Sequence, residues 1–276
     1  MIRRIIRRLT KRGAGPTHEL HLSESPVLEG LEPRVLLSAS LKGGLLTVIG
    51  SDGDDVLGFA AGPNAGQVIL TGDPDGDSGT FDNVTRIKVQ SGSGNDQVTI
   101  DVNVVNARNA PIAAQIDGGA GNDVLTSGDG NDKILSGGGN DTIDARNGNN
   151  KITTIDGDDD ITSGTGNDKV KAGDGNNTIT DGGGTNKIRA GTGNDIITNG
   201  AGNDNVKAGD GTNTITDAGG TNKITTGSGN DAITTAGGDD KVKAGATTPS
   251  PTPAGPTTSR PARAMTPSLP RAATTK

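Results

Sequence analysis

The sequence contains no cysteine, no tryptophan and no tyrosine, and only two phenylalanines among its 276 residues. The absence of cysteine excludes a disulfide framework, a thiolate nucleophile and a zinc–thiolate site. The scarcity of aromatic residues, with a hydrophobic content of 29%, excludes a large globular core of the usual kind, because too little apolar surface is available to offset chain entropy. We therefore expect a chain that is stabilised by ions and built from repeats.

Long hydrophobic runs are also missing. No segment of eighteen apolar residues occurs, and no run near the N-terminus reaches the length of a signal-peptide core. The sequence therefore predicts neither a transmembrane segment nor a conventional cleaved signal.

Negative charge is concentrated in the middle of the chain. The net charge is −7, but residues 1–45 and 246–276 each carry a net +4, so the residues between them carry −15. Clustered carboxylates favour metal cations over duplex nucleic acid as partners, because cations relieve their mutual repulsion. The sequence therefore predicts no specific nucleic-acid partner.

Three segments differ from the central region in composition. Residues 1–43 begin with a basic amphipathic stretch, and Leu31 to Ser38 resembles the LEPR-XLL segment of planctomycete-type surface or exported proteins. Residues 44–117 contain short irregular strands, which we expect to cap the structure that follows. Residues 244–276 are rich in Pro and Thr and are predicted to form a disordered tail.

No catalytic motif is complete in this chain. His18 and His21 lack the four-residue spacing of a zincin helix. The segment from Asp73 to Gly79 resembles the start of an EF-hand loop, but its glycine is displaced and its twelfth position is Val84. Gly-x-Gly triplets occur without the strand-to-helix context of a phosphate-binding loop. We therefore expect a protein that is not an enzyme.

Residues 118–243 consist of fourteen consecutive nonapeptides without an insertion. Counted from Gly118, each has glycine at its fourth position and an aliphatic residue at its eighth, from Leu125 to Val242. Three extended residues with an apolar one in the middle form a minimal strand, and glycine allows the turn between strands. Stacked turns would bury a column of aliphatic side chains and so form a continuous core.

The nonapeptides resemble the RTX, or hemolysin-type calcium-binding, repeat Gly-Gly-x-Gly-x-Asp-x-apolar-x. The resemblance implies an all-β fold, a right-handed parallel β-roll or β-solenoid of about seven turns of two nonapeptides, with disordered termini. It also implies Ca²⁺ held between successive loops by turn carbonyls and by the sixth-position aspartates.

Carried over position by position, the resemblance assigns two sets of metal ligands. The aspartates are Asp123, Asp132, Asp141, Asp159, Asp168, Asp195, Asp204, Asp231 and Asp240. The loop glycines are Gly119, Gly121, Gly128, Gly130, Gly137, Gly139, Gly164, Gly166, Gly191, Gly193, Gly200 and Gly202. Asp55 and Asp96 are outlying candidates in related clusters upstream.

The remaining five sixth positions hold Asn150, Asn177, Asn186, Asn213 and Asn222. An asparagine supplies only a neutral oxygen, so calcium should bind more weakly there. If alternate repeats stack, aspartate and asparagine alternate along each edge of the regular region, and we expect one carboxylate per inter-loop site and affinity toward the millimolar range. The alternative is that the asparagines form amide ladders and this part of the coil needs little metal.

The same stacking predicts two different outward faces. One face collects Lys133, Lys151, Lys169, Lys171, Lys187, Arg189, Lys207, Lys223, Lys241 and Lys243. These cations either balance the acidic loops or contact an anionic polysaccharide or cell surface. The opposite face is rich in threonine, which suits exposed strands and also resembles the water-ordering array of ice-binding solenoids.

These features predict a secreted, extracellular or cell-surface module that binds calcium, folds on binding it, and has a structural or adhesive role. Two alternatives stay open: an ice- or surface-binding solenoid that uses its threonine face, and a non-catalytic remnant of a larger RTX enzyme or toxin. The Pro-rich tail does not resemble a type I export signal, so the sequence leaves the export route undetermined.

Overall fold

The structure, a computed structural model, describes residues 38–72, 79–245 and 252–253. Within these ranges all regular secondary structure is β-strand, and the strands form two sheets. The all-β prediction is therefore confirmed.

Eleven strands form the lysine sheet, named for Lys151, Lys169 and Lys187 on its outer face. In order across the sheet they are β1 (Ser38–Lys42), β2 (Leu45–Ile49), β6 (Arg86–Ser93), β8 (Ala113–Ala120), β10 (Lys133–Gly138), β12 (Lys151–Asp156), β14 (Lys169–Lys171), β16 (Lys187–Arg189), β18 (Asn205–Gly209), β20 (Lys223–Thr226) and β22 (Lys241–Lys243).

Twelve strands form the threonine sheet, named for Thr198 and Thr216 on its outer face. In chain order they are β3 (Val56–Ala61), β4 (Val68–Thr71), β5 (Gly79–Phe81), β7 (Gln97–Ile100), β9 (Val124–Thr126), β11 (Thr142–Asp144), β13 (Asp160–Thr165), β15 (Thr178–Gly183), β17 (Ile196–Asn199), β19 (Thr214–Asp217), β21 (Ala232–Thr235) and β23 (Thr252–Pro253).

The repeat strands pair in parallel at a spacing of eighteen residues. In the lysine sheet Ile152 pairs with Val170, and in the threonine sheet Ile143 pairs with Ile161. Because consecutive repeats alternate between the sheets, two nonapeptides make one turn and the fourteen make seven turns. The predicted parallel β-solenoid is confirmed.

The core is built from the eighth-position side chains, which point inward from both sheets. They are buried from Leu125 to Ile233, and Val242 on the last lysine-sheet strand is partly buried. Burial of each such side chain contributes about 1.5–3 kcal/mol. Repetition thus gives a chain with few large hydrophobic residues one continuous core.

The fourth-position glycines are required because successive loops stack closely. Gly139 has a φ of 124° and Gly193 a φ of 135°, in the region that side chains disfavour. A Cβ on either residue would also overlap the carbonyl oxygen of the fourth-position glycine one turn earlier, Gly121 or Gly175. Backbone conformation and steric contact both explain why only glycine occupies this position.

The strands upstream of Gly118 lie in the same two sheets. Parallel pairing runs from β2 through β6 and β8 into β10, and from β3 through β7 into β9. Antiparallel strands end both stacks: β1 pairs with β2, and β4 pairs with β3 and β5. The parallel ladders of both sheets therefore give way to antiparallel pairing at this end of the coil.

Several sequence features lie outside the described residues. They are the basic amphipathic stretch, the LEPR-XLL-like segment up to residue 37, most of the EF-hand-like segment at 73–78, and the Pro/Thr-rich tail apart from 252–253. Over the ranges that the structure does describe, no helix is long and apolar enough to span a bilayer.

Candidate metal sites and a cationic face

The loops between the sheets stack into two edges, and all fourteen sixth-position side chains are buried in them. Loops that lead into the threonine sheet form the threonine-side edge, with Asp123, Asp141, Asp159, Asn177, Asp195, Asn213 and Asp231. Loops that lead into the lysine sheet form the lysine-side edge, with Asp132, Asn150, Asp168, Asn186, Asp204, Asn222 and Asp240.

One hydrogen bond recurs along both edges. From Asp141 and Asn150 onward, the Oδ1 atom of each sixth-position residue accepts the backbone N–H of the sixth-position residue one turn earlier, whereas Asp123 and Asp132 accept the N–H of Asp96 and Ala114. The distance is 2.8 Å from Asp123 N to Asp141 Oδ1 and 2.7 Å from Asp168 N to Asn186 Oδ1. Aspartate and asparagine both accept this bond, so it explains why either residue closes the loop, and it fixes which amide atom is the oxygen.

The second terminal atom distinguishes the two residue types. In eight of the nine predicted aspartate ligands, and in Asp96, the Oδ2 atom is buried and has no hydrogen-bond partner within the described structure. The eight are Asp123, Asp132, Asp141, Asp159, Asp168, Asp195, Asp231 and Asp240. A buried carboxylate oxygen without a partner is costly unless a cation or a proton meets it.

The asparagines show what such an oxygen faces. Asn177 Nδ2 donates to Gly175 O at 3.2 Å, and Asn150 Nδ2 donates to three loop carbonyls, including Ala145 O at 3.2 Å. Because Oδ1 makes the same bond in both residue types, aspartate Oδ2 takes the place of this amide nitrogen. In loops of this kind an aspartate places an oxygen among turn carbonyls, an all-oxygen environment that suits a hard cation such as Ca²⁺. Asn186 and Asn222 differ, because their Nδ2 atoms donate to carboxylates.

Each such environment is poor in carboxylates. Nowhere in the described part of the chain do three acidic or histidine side chains come together as a metal cluster. The residues that fit a calcium ion are therefore a sixth-position aspartate and the neighbouring turn carbonyls, and no dense acidic cage is present.

Burial raises the pKa of four of these carboxyl groups well above the ordinary value of 3.8. It raises the pKa of Asp123 and Asp159 on the threonine-side edge to about 6. On the lysine-side edge it raises the pKa of Asp132 to about 6 and that of Asp168 to about 7. In each case loss of water around the charged form is the largest cause.

The predicted loop glycines lie at the second and fourth positions of these loops. Nine of the twelve have positive φ, and the other three are Gly128, Gly130 and Gly200. Their lack of side chains lets the carbonyls of successive loops approach one another, which is the feature a carbonyl-lined site needs.

Sequence analysis missed three buried residues at the first position of their repeats: Asp181, Asn199 and Asp217. Each contacts the sixth-position side chain of its own loop, and Asn199 Nδ2 donates to Asp204 Oδ2 at 2.6 Å. Asp204 is therefore the one predicted aspartate ligand whose Oδ2 is already hydrogen-bonded. The sequence contains a signal for these residues, because Asp or Asn replaces the usual Gly, Ala, Ser or Thr five residues before the sixth position.

The outlying candidates differ from each other. Asp96 belongs to the threonine-side stack, since its backbone N–H donates to Asp123 Oδ1 at 2.9 Å and its own Oδ2 lacks a partner. Asp55 Oδ2 instead accepts the N–H of Ser51 at 2.6 Å. Asp55 shares the recurring backbone bond, because its N–H donates to Asp96 Oδ1 at 2.8 Å, but only Asp96 also has an unpartnered Oδ2.

The outer face of the lysine sheet carries a groove of about 260 Å³ across β12, β14 and β16. Its lining includes Lys151, Lys169, Lys171, Lys187 and Arg189. Lys169 pairs in register with Lys187, and Lys171 with Arg189, so neighbouring strands, about 4.8 Å apart, carry like charges at matching positions. Over the described ranges the one ion pair within 4.0 Å joins Arg146 to Asp144, so none of these groove cations forms a salt bridge there. Hydrogen bonds from Thr192 and, to a smaller extent, the nearby charge of Lys171 nevertheless lower the pKa of the Asp174 carboxyl group.

The threonine face contains one threonine ladder and one interrupted row. Ninth-position Thr162, Thr180 and Thr198 pair in register, and the ladder extends through Thr216 to Thr234. At the seventh position, Ile196 interrupts the threonines.

Comparison with known proteins identifies the repeats. A family model for the RTX calcium-binding nonapeptide repeat matches four times, at residues 115–143, 135–170, 171–206 and 207–242, together a little under half of the chain. No curated protein and no solved structure matches. The part of the chain that forms the seven regular turns therefore consists of RTX calcium-binding nonapeptide repeats.

Proposed function

We propose that residues 118–243 form a calcium-dependent, non-catalytic structural module of a secreted or cell-surface protein. The observation that carries this proposal is the series of buried, unpartnered Oδ2 atoms repeated at the loop edges. The match to calcium-binding repeats supports the choice of ion.

Bound calcium would supply positive charge between oxygens that otherwise repel one another. The sixth-position aspartates hold the carboxylate in place through Oδ1, while the fourth-position glycines keep successive loops close together. Without divalent ions the buried carboxylates destabilise the stacked loops. Each site stabilises the folded chain by RT ln(1 + [Ca]/Kd), roughly 1.4 kcal/mol when calcium is tenfold above Kd.

Circular dichroism of the full chain, with calcium and with EGTA, tests this function. We expect a cooperative thermal transition with calcium, a lower β-content and a much lower melting temperature with EGTA, and weaker rescue by magnesium, which prefers smaller, octahedral sites. Equal β-content and equal melting temperatures in EGTA and calcium would overturn the proposal.

Calcium affinity should be modest. We propose that most inter-loop sites of the regular region contain a single sixth-position carboxylate, which gives dissociation constants near the millimolar range of extracellular modules. Calorimetric titration checks this value, and submicromolar binding at all sites would contradict it.

A second candidate function is binding of an anionic polysaccharide along the lysine sheet. The specific observation is the groove whose cations are paired in register and form no salt bridge within the described ranges. Linear polymers with regularly spaced carboxylate or sulfate groups complement such a row of charges.

A matched pair of variants tests this second function. Lys171→Gln with Arg189→Gln removes two groove charges, whereas Lys42→Gln with Arg108→Gln removes two exposed charges elsewhere and changes the net charge equally. We expect only the first pair to weaken binding to a sulfated polysaccharide by about tenfold or more at physiological salt. Equal weakening by both pairs would show that net charge, and not the groove, accounts for binding, and would overturn this second function.

A further inference from the structure

Each of three consecutive loops of the lysine-side edge pairs an aspartate with an asparagine, and their order reverses from one loop to the next. The two residues occupy the first and sixth positions of each repeat. The pairs are, in chain order, Asp181 with Asn186, Asn199 with Asp204, and Asp217 with Asn222. All six side chains are buried, with at most 4% of their surface exposed.

Within each loop the amide donates to the carboxylate. The distance is 2.6 Å from Asn186 Nδ2 to Asp181 Oδ2, and it is the same from Asn199 Nδ2 to Asp204 Oδ2. The corresponding bond from Asn222 Nδ2 to Asp217 Oδ2 is 2.8 Å. The exchange therefore preserves a carboxylate–amide pair in every one of these loops.

The other carboxylate oxygens also accept hydrogen bonds, and these bonds link the loops. Ser163 Oγ donates to Asp181 Oδ1 at 2.9 Å, and Asn199 Nδ2 donates to Asp217 Oδ1 at 3.1 Å. Asp204 Oδ1 accepts the backbone N–H of Asn186 at 2.6 Å. None of the three carboxylates has an unpartnered oxygen, and the one unpartnered terminal atom in the set is the neutral Oδ1 of Asn199.

The threonine-side edge of the same turns lacks this device. Its first positions are Ala172, Ala190 and Ala208, which offer no side-chain donor. Asp195 consequently keeps a buried Oδ2 without a partner. Asp231 also keeps one, although its loop begins with Thr226 and its Oδ1 accepts Asn213 Nδ2 at 2.9 Å. The two edges have similar sixth-position residues, but only on the lysine-side edge of these turns does an amide of the same loop donate a hydrogen bond to the carboxylate.

We propose that the lysine-side edge from Asp181 to Asn222 is a calcium-independent seam, and that calcium acts in these turns on the threonine-side edge alone. On the seam, amide donors stabilise the buried carboxylates by hydrogen bonds, as the bound ion would stabilise those of the opposite edge. The proposal rests on the proposed calcium function for the threonine-side half only, because the hydrogen bonds of the seam require no ion. One edge of the turns would then stay closed in low calcium while the other opens.

A matched pair of substitutions separates the edges. Asp195→Asn and Asp204→Asn change the same position in consecutive repeats, one on each edge, and asparagine already occupies that position elsewhere in the coil. Calorimetric titration of the full chain with calcium should show the loss of at least one ion for Asp195→Asn and an unchanged stoichiometry for Asp204→Asn. Equal losses, or a loss for Asp204→Asn alone, would overturn the proposal.

A second substitution tests the seam without calcium. Asn199→Asp removes the donor to two carboxylates and places a third beside them, so we expect the melting temperature of the metal-free protein to fall by roughly 5–10 °C. Added calcium should restore much of this loss. An unchanged metal-free melting temperature would refute the seam.

The two halves of the proposal fail separately. If the wild-type chain binds no calcium, the proposed function and the threonine-side assignment are both overturned, while the Asn199→Asp melting temperature still decides whether the seam exists. If calcium binds but both edges respond alike, the proposed function survives and the division between edges does not.

Discussion

At the scale of single residues, the fold depends on glycines that lack a side chain as much as on the side chains of other residues. A fourth-position glycine permits the loop conformation and leaves room for the carbonyl of the preceding turn. The sixth-position residue then needs one acceptor oxygen in one place, which Asp and Asn both provide, and its second terminal atom decides whether the loop needs a cation.

Replacement of Gly193 by alanine should destabilise the solenoid strongly. Its Cβ would overlap Gly175 O, and its φ of 135° disfavours any side chain. We expect a loss of about 2–4 kcal/mol in the free energy of unfolding, measured by urea denaturation with calcium.

The matched control is Gly237→Ala in another loop. A Cβ there meets no atom within 4 Å, and its φ is not positive. The free energy of unfolding should change by less than about 0.5 kcal/mol. Similar effects at both positions would show that close stacking of the loops is not the reason for the fourth-position glycine.

At the scale of elements, the loop edges couple the solenoid to pH as well as to calcium. Several buried aspartates share raised pKa values, so they act together as a stack of weak acids within the coil. Their common cause is burial, which the stacking of loops imposes on all of them.

The metal-free protein should be more stable in acid than at neutral pH. The folded-state pKa values of about 6 for Asp123 and about 7 for Asp168 exceed 3.8, so between these values the folded state binds more protons than the unfolded state. Stability is therefore fully present below pH 4 and falls as pH rises through 6 and 7, by an amount on the order of 2–3 kcal/mol per group.

Melting temperatures of calcium-stripped protein between pH 4 and 8 measure this effect. With saturating calcium the trend should weaken or reverse, because protons compete with the ion for the same carboxylates. Higher stability of the metal-free protein at pH 7 than at pH 4.5 would contradict the assignment of buried, unpartnered carboxyl groups.

At the scale of the whole molecule, stability is a sum over turns and the interfaces between them. Residues 172–207 and 208–243 are two copies of one 36-residue unit, and each unit is two complete turns. Their first loops on the lysine-side edge begin with Asp181 and Asp217.

Deletion of residues 172–207 should leave a folded, shorter solenoid. The repeat that begins at Ala208 would stack where the one at Ala172 stood, and Asp217 would meet Ser163 as Asp181 does. We expect an unchanged type of circular dichroism spectrum with calcium and a melting temperature lower by a few degrees, roughly 2–8 °C, because interfaces are lost without a new defect.

Deletion of residues 172–180 alone provides the comparison. This deletion removes half a turn. Every later lysine-sheet strand would therefore move to the threonine sheet, and every later loop would move to the opposite edge. This variant should melt well below the longer deletion, and the reverse order would contradict additive turns.

Much of the architecture was predictable because it is periodic. The nine-residue spacing of Gly139, Ile143 and their equivalents predicted the strands, the inward column and the eighteen-residue pairing that the structure shows. The repeat has one low-energy way to bury its aliphatic residues, so local pattern and tertiary fold agree. The upstream strands lack the repeat, and their sequence did not reveal that they extend the same two sheets.

By itself, the sequence determined the coil, its core and the oxygen-rich composition of its loops, since these follow from a repeat that each turn obeys independently. Only the tertiary structure decided which side-chain atoms meet across and within the stacked loops. Asn199 and Asp204 are five residues apart in the sequence, but their hydrogen bond forms only because the loop closes and neighbouring loops exclude water from it. The difference between a carboxylate held by an amide and one left facing carbonyls is a matter of a few ångströms, and a pattern of residue types contains no distances.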